Sequence, residues 1–136
     1  MNNRALLDTD ILSYFLKGDS AVIKHVKNYL NKFHIIEISI ITYYEIVNGL
    51  LAKDATKLLT IFDDFVNQNM VVPLTEKSCK ISAELYSRLK RKGEIIDDID
   101  LLIAGIAIEN DMILITNNVK HFKRIPDLRI GNWKVD

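Results

Sequence analysis

Short apolar segments alternate along the chain with longer segments in which apolar residues recur every three or four positions. The short segments, rich in β-branched residues, predict strands at 5–7, 35–39, 70–72 and 112–116. The longer segments predict helices at 10–17, 20–33, 42–52, 55–67, 75–92 and 98–109, with a further turn at 119–122 and a short closing segment near 128–133. Strands separated by helices predict a three-layer α/β/α fold around a mainly parallel sheet of four to five strands.

The helix predicted at 98–109 differs from the others because it is apolar on nearly every side, which predicts that it is buried. Ala104, Gly105 and Ala107 leave room on this helix for a neighbouring backbone to approach closely. Its apolar run at 101–108 is far shorter than the roughly 20 residues that cross a bilayer. We therefore expect a buried helix and no membrane association.

The composition restricts the class of protein. The chain has 136 residues, of which 49% are hydrophobic and 26% are charged, with 5 Gly and 2 Pro. These values are typical of one ordered globular domain, predicted here to span 1–136. Because the formal net charge is zero, any binding of nucleic acid must rely on a local basic patch. The single cysteine, Cys79, excludes a disulfide framework within the chain and a cysteine-rich metal site, and it favours a cytoplasmic location.

Polar residues follow two of the predicted strands at the point where each strand ends. Asp8 comes directly after the first strand, and Asn118 follows the strand with the sequence MILIT. Parallel sheets bind ligands beyond the carboxyl ends of their strands, so both residues are candidates for a functional site. Glu45, in a largely apolar helix, and Asp100, in the first turn of the buried helix, extend this polar set.

Helix capping is the alternative explanation for these acidic residues. Asp8 or Asp10 can cap the first helix, Asp98 can cap the buried helix, and Thr42 and Glu45 have the spacing of a capping box. Together, however, the acids would meet at one edge of the sheet with no Lys or Arg beside them in the sequence. Clustered carboxylates repel one another unless a cation lies among them, and a hard ion such as Mg²⁺ or Mn²⁺ suits their oxygens.

Four segments carry a resemblance to a known family: LLDTDILSYFL, ITYYEIVNGL, DLLIAGIAIENDMILITNN and HFKRIPDLRIGNW. In this order and spacing they resemble the successive motifs of PIN-domain ribonucleases, and more closely those of the VapC toxins of bacterial and archaeal toxin–antitoxin pairs. The resemblance runs from Leu6 to Trp133. It implies a PIN-like fold and an endoribonuclease that depends on Mg²⁺ or Mn²⁺. It also implies an RNA substrate, a VapB-like antitoxin partner and a homodimer.

The same resemblance implies roles for individual residues. Asp8 of the LDT motif, Glu45 of the T-x-x-E motif and Asp100 before LLIA would hold the metal and serve catalysis. Asn118 stands where many PIN domains have a fourth acid, and its amide would position water or phosphate while contributing little to metal affinity. Three further residues would orient the metal ligands without binding the ion themselves: Asp10, Asp98 and Thr116.

Basic residues close to Asn118 are candidate contacts for RNA. Lys120, Lys123 and Arg124 follow it directly and would form a bounded basic patch on a neutral protein, although a solvated helix end is the alternative. His121, within this segment, is interpreted as a surface residue without a catalytic role. A hydrogen bond from Thr9 to a carboxylate or to bound water is one alternative, but Thr9 is interpreted here as an ordinary threonine at the end of a strand.

Two other functions are left open by the residues. A non-catalytic PIN module would bind RNA or a protein without cleaving, although the intact acidic set argues against it. The sequence DTD after an apolar strand, with Thr116 ending another strand, superficially resembles a haloacid-dehalogenase-type phosphatase, in which an Asp is a covalent nucleophile. RNA cleavage that EDTA abolishes would distinguish the nuclease from the binding module, and a phosphatase assay would test the other alternative.

Overall fold

A sheet of five strands forms the centre of the computed structural model, which describes residues 3–135. The strands are β1 (Ala5–Leu7), β2 (Glu37–Ser39), β3 (Met70–Val72), β4 (Ile113–Ile115) and β5 (Ile130–Gly131). Their order across the sheet is β3-β2-β1-β4-β5, and every neighbouring pair is parallel. The predicted parallel sheet is therefore confirmed, and the closing segment of the chain supplies its fifth strand.

Every predicted helix forms, with bounds that differ from the prediction by at most two residues. The helices are α1 (Thr9–Leu16), α2 (Ser20–Phe33), α3 (Ile40–Ala52), α4 (Thr56–Gln68), α5 (Glu76–Arg91), α6 (Asp98–Glu109) and α7 (Val119–Phe122). Gly18 and Gly93 follow α1 and α5 with φ angles of +85° and +73°, a conformation that glycine adopts without strain. These two glycines let the chain leave each helix in a left-handed conformation.

Two helix starts differ from the capping predictions. Helix α3 begins at Ile40 because Ser39 caps it, its side chain accepting a hydrogen bond from Thr42 N at 3.0 Å, so the predicted capping box at Thr42 is wrong. Helix α6 is capped by Asp97, whose Oδ1 accepts from Ile99 N at 2.9 Å. Asp98 was predicted for that role, but it lies one residue too late, within the first turn.

Alternate residues of β1 face opposite sides of the sheet and build two hydrophobic clusters. Leu6 packs into the cluster formed with α5, α6 and α7, whereas Ala5 and Leu7 pack into the cluster formed with α1, α2, α3 and α4. Leu6, Ile103 and Phe122 are fully buried on the first side, as are Ile11, Leu12 and Phe62 on the second. The three-layer α/β/α arrangement is confirmed.

Helix α6 is buried, as its sequence predicts, and it crosses α5 at very short distance. Gly105 lies at the crossing, where a Cβ atom would overlap Ser82 Oγ and lie 2.6 Å from Ser78 O. Ser82 Oγ donates a hydrogen bond to the Leu101 carbonyl oxygen at 2.7 Å, so this hydroxyl is satisfied inside the crossing. Among residues 3–135, no helix is both long and apolar enough to cross a bilayer.

Candidate active site

The ends of β1 and β4 bring Asp8 and Thr116 together. Because the two strands are parallel neighbours, both residues follow their strands at the same edge of the sheet. Asp8 N donates to Ile115 O at 2.9 Å, and Thr116 Oγ1 donates to Asp8 Oδ2 at 2.8 Å. Asp8 is 6% exposed and Thr116 is fully buried, so the carboxylate is held rigidly at the surface of the core.

Helix α3 brings Glu45 to the same edge, where Thr9 holds it. Thr9 Oγ1 donates to Glu45 Oε1 at 2.6 Å and lies 3.0 Å from Thr42 Oγ1. Thr9 is the first residue of α1 and is not a strand-end residue. Its interpretation as an ordinary threonine was therefore wrong, because the sequence does not show that α1 and α3 pack against each other.

Asp100 reaches the edge from the first turn of α6 and meets His121 of α7. Asp100 Oδ2 lies 2.9 Å from His121 Nε2, and the two side chains are 27% and 25% exposed. His121 is half-buried against Asp100, so its interpretation as a surface residue was wrong. A signal was present in the sequence, since His121 stands one helical turn after the candidate residue Asn118.

Asp10 and the segment after β4 also lie at this edge of the sheet, in contact with each other. Asp10 Oδ1 accepts from Ile11 N at 2.7 Å, and its Oδ2 accepts from Asn117 N at 3.1 Å. Asn118 N donates to Thr116 Oγ1 at 3.0 Å, while the Asn118 side chain is exposed and does not cap α7. Thr116 and Asp10 thus link the segment after β4 to the start of α1.

Four acidic side chains at this edge of the sheet repel one another: Asp8, Asp10, Glu45 and Asp100. We call them the carboxylate cluster. Burial raises the pKa of Asp8 to about 7, with repulsion from Asp10 and Asp100 adding to the rise and the Thr116 and Thr9 hydrogen bonds opposing it. Burial also raises the pKa of Asp10, against the hydrogen bonds from Asn117 N and Ile11 N.

The pKa of Asp100 is raised as well, and the cause is again mainly burial. The neighbouring His121 opposes this rise, whereas the negative charges of Asp97 and Glu45 add to it. At Asp8 and Asp100, neighbouring negative charges add to the effect of burial, so both carboxylates lie in an acidic environment.

The donors of the carboxylate cluster fit a hard divalent cation. All are carboxylate oxygens, which Mg²⁺ and Mn²⁺ prefer, and a cation among them would offset their mutual repulsion. Within the described residues, however, no three Asp, Glu, His or Cys side chains are already arranged as a ligand set. Instead, Thr116 holds Asp8, Thr9 holds Glu45, and His121 lies against Asp100.

Two predicted site residues lie elsewhere or are engaged differently. Asp98 is exposed and lines a groove between α5 and α6 with Cys79 and Tyr86. This position does not support its predicted role of orienting the metal ligands. Arg124 is half-buried, and its guanidinium lies against His121 and the carbonyl oxygen of Ile95. The other two predicted RNA contacts, Lys120 and Lys123, are exposed beside the site.

Known proteins resemble this chain over most of its length. The family model for the PIN domain matches residues 5–128. Ribonuclease VapC2 of Rickettsia felis is 35% identical over 135 residues, which cover 94% of this chain and 96% of the relative. The tRNA(fMet)-specific endonuclease VapC of Salmonella typhimurium is 29% identical over 129 residues, with coverage of 94% and 96%.

Solved structures show the same fold. VapBC2 of Rickettsia felis, bound to a DNA fragment from its promoter, matches with a TM-score of 0.86 and 34% identity, covering 95% of this chain and 98% of that chain. DNA-bound VapBC of Salmonella typhimurium matches with a TM-score of 0.85 and 25% identity, covering 97% and 99%. With its five-stranded parallel sheet, its acidic edge and relatives that match over nearly their whole length, this chain belongs to the PIN-domain family and, within it, to the VapC proteins.

Proposed function

We propose that this chain is a divalent-metal-dependent endoribonuclease and that the carboxylate cluster is its active site. The observation that carries the proposal is the meeting of acids from three separate elements at the carboxyl edge of the sheet. There the pKa of buried Asp8 rises to about 7. Ribonuclease names among relatives that match over most of the chain support the reaction class. Membership of the PIN family argues against the haloacid-dehalogenase alternative.

In this proposal Asp8, Glu45 and Asp100 hold Mg²⁺ or Mn²⁺. When bound there, the ion would supply Lewis-acid polarisation of the scissile phosphate and of an attacking water molecule. Both ions suit an all-carboxylate donor set. The carboxylates also need neighbours that keep them oriented, because a misplaced ligand weakens both binding and catalysis.

The chain supplies that orientation through hydroxyl and amide groups. Thr116 Oγ1 holds Asp8 by donating a hydrogen bond to Oδ2 at 2.8 Å. The other carboxylate oxygen, Oδ1, accepts from the backbone N–H of Thr9 at 2.9 Å. The exposed amide of Asn118, next to Thr116, is available to position water or a phosphate oxygen. Asp10 adds negative charge beside Asp8 and is held by the backbone after β4.

RNA would approach the site along α7. Lys120 and Lys123 are exposed on and just after this short helix, so their charges can neutralise phosphates next to the cleaved bond. The net charge of the chain is zero, so attraction to RNA must come from such local groups. Arg124 is engaged with His121 and Ile95, so we assign the RNA contact first to the two lysines.

Purified protein is expected to cleave RNA internally with Mg²⁺ or Mn²⁺ and to lose that activity in EDTA. Adding back excess Mn²⁺ should restore cleavage, since removal of the ion leaves the fold intact. The measurement is the appearance of new RNA ends by sequencing and gel analysis. RNA binding without new ends in any metal would identify a binding module instead, and phosphate release from a small phosphomonoester would indicate a phosphatase.

Thr9→Val is expected to slow RNA cleavage by about 10- to 100-fold, the usual cost of losing a group that orients a metal ligand. Valine keeps the shape of threonine but removes the 2.6 Å hydrogen bond to Glu45. Thr9→Ser keeps the hydroxyl and is the matched control, expected to stay close to wild type. Initial cleavage rates at several Mn²⁺ concentrations measure both. Equal activity of the Val variant and wild type would show that Thr9 does not position Glu45.

We also propose a VapB-like antitoxin as the partner of this chain, and hence a toxin role. The matching structures of VapBC from two organisms support this partner. An apolar groove between α1, α3 and α4 opens beside Glu45 and includes Ile46 and Leu58, which would suit an antitoxin segment. Tyr44 and Leu51, 62% and 59% exposed, support burial in a further interface such as a homodimer. A cytoplasmic location stays a prediction.

A further inference from the structure

His121 is held in one orientation beside the carboxylate cluster. Its ring lies edge-on to Phe122, with centroids 5.6 Å apart and an angle of 88° between the planes, and Phe122 is fully buried. Its backbone N–H donates to Asn118 O at 3.2 Å within the turn of α7. The ring therefore has little freedom to turn, and its Nε2 atom, 2.9 Å from Asp100 Oδ2, is buried.

Arg124 determines which nitrogen of His121 carries the proton. Arg124 Nη2 lies 3.2 Å from His121 Nδ1, and Arg124 Nε donates to the His121 carbonyl oxygen at 3.2 Å. A guanidinium group has only donors, so Nδ1 must accept this hydrogen bond. The neutral imidazole then carries its proton on Nε2, the nitrogen beside Asp100.

This Nε2–H group is an unsatisfied donor. Although Asp100 Oδ2 is only 2.9 Å away, the contact lacks hydrogen-bond geometry, and Nε2 has no hydrogen-bond partner within the described residues. Buried polar groups in proteins are normally paired, so an unpaired donor beside a functional site calls for a physical reason. Nε2 is not open to solvent, which argues against a direct contact with RNA and leaves Asp100 Oδ2, 2.9 Å away, as the acceptor within reach.

We propose that His121 is a positioning residue that, with its tautomer and orientation set by Arg124, fixes the Asp100 carboxylate for metal binding. This inference rests on the proposed metal-dependent function. The terminal torsion of an Asp side chain is soft, so the Asp100 carboxylate can turn toward the Nε2–H group. Oδ1 then remains for the divalent ion. Arg124 also binds Ile95 O at 3.3 Å, which ties α7 to the segment that leads into α6.

The test measures Mn²⁺ binding to RNA-free protein by calorimetry, so that it does not depend on cleavage. His121→Ala is expected to weaken Mn²⁺ binding by about 10- to 100-fold, as is usual for the loss of a group that orients a ligand. His121→Gln, whose amide nitrogen can occupy the position of Nε2, should recover most of the affinity. His121→Leu keeps the bulk of the side chain without a hydrogen-bond donor, so it should bind Mn²⁺ as weakly as His121→Ala. This comparison separates the loss of the donor from the loss of packing.

Three further variants complete the design. Arg124→Ala should weaken Mn²⁺ binding, and the His121→Ala, Arg124→Ala double variant should bind no more weakly than His121→Ala alone, because Arg124 acts through His121. His34→Asn is the matched control and should bind as wild type. His34 is exposed after α2, before β2 and thus at the opposite edge of the sheet, and its φ of 68° is tolerated by Asn.

Wild-type Mn²⁺ affinity in His121→Ala would overturn the proposal, as would equal weakening in the Gln and Leu variants. The proposed function is tested separately by Asp100→Asn. If that variant binds Mn²⁺ as wild type does, the metal assignment fails. If Asp100→Asn loses binding while His121→Ala keeps it, only the role of His121 fails.

Discussion

Replacing Asp8 with Asn should lower the rate of RNA cleavage by about 10²- to 10³-fold while the fold survives. Asn has the same size and keeps an oxygen for the hydrogen bond from Thr9 N, but it removes one negative charge from the carboxylate cluster. Electrostatic stabilisation by a bound divalent ion is worth several kcal/mol in such reactions, and each 1.36 kcal/mol is about tenfold in rate. Initial rates at saturating Mn²⁺ measure the effect. Cleavage at the wild-type rate would remove Asp8 from the proposed metal site.

The same substitution should stabilise the metal-free protein at pH 8. The folded state raises the pKa of Asp8 from 3.8 to about 7, so the folded state holds its proton more tightly than the unfolded chain does. This contribution to stability is complete below pH 4 and is lost as the pH rises through 7. A change from 3.8 to about 7 corresponds to at most about 4 kcal/mol.

Asn cannot ionise, so the variant avoids the loss that the wild type suffers between pH 4 and pH 8. Urea unfolding in EDTA at pH 5 and pH 8 measures both proteins, and the gain should be larger at pH 8. Asp64→Asn, at an exposed position of α4, is the matched control and should change little at either pH. A destabilised Asp8→Asn protein at pH 8 would show that the hydrogen bonds of the carboxylate outweigh its burial and repulsion.

Gly105→Ala should destabilise the protein by about 3 kcal/mol, the upper end of the usual range for overpacking a core. The new Cβ would overlap Ser82 Oγ and lie 2.6 Å from the carbonyl oxygen of Ser78. The Ser82 side chain cannot simply turn away, because its hydroxyl lies 2.7 Å from Leu101 O inside a buried crossing. Helices α5 and α6 would therefore have to separate, and Asp100 would move with α6.

Gly49→Ala is the matched control for this substitution. Gly49 lies in α3, and apart from the adjacent backbone of its own helix no atom lies within 4 Å of the position of its missing Cβ, so alanine there should stabilise the protein by about 0.5–1 kcal/mol. Ser82→Ala in the Gly105→Ala background should recover only part of the loss, because the Ser78 carbonyl oxygen remains in the way. Thermal and urea unfolding measure all three, and a Gly105→Ala protein as stable as wild type would mean that the crossing is less tight than the structure shows.

The sequence by itself determined the elements, the parallel sheet and the edge at which the acids meet. Hydrophobic periodicity is a local property of the chain, so β1, α5 and the buried helix α6 could be placed from it. The placement of Asp8 and Asn118 at one edge follows from the rule that parallel strands share their carboxyl ends. Family resemblance then selected Asp8, Glu45 and Asp100 from the many acids of the chain.

Tertiary structure decided which side chains contact one another. Thr9 meets Glu45 only because α1 packs on α3, and His121 meets Asp100 only because α7 lies beside the first turn of α6. Likewise Arg124, an ordinary basic residue in sequence, binds His121 through a contact that depends on the exact turn after α7. Such contacts join residues far apart in the chain, and their distances depend on how whole elements pack, which no local pattern of residues contains.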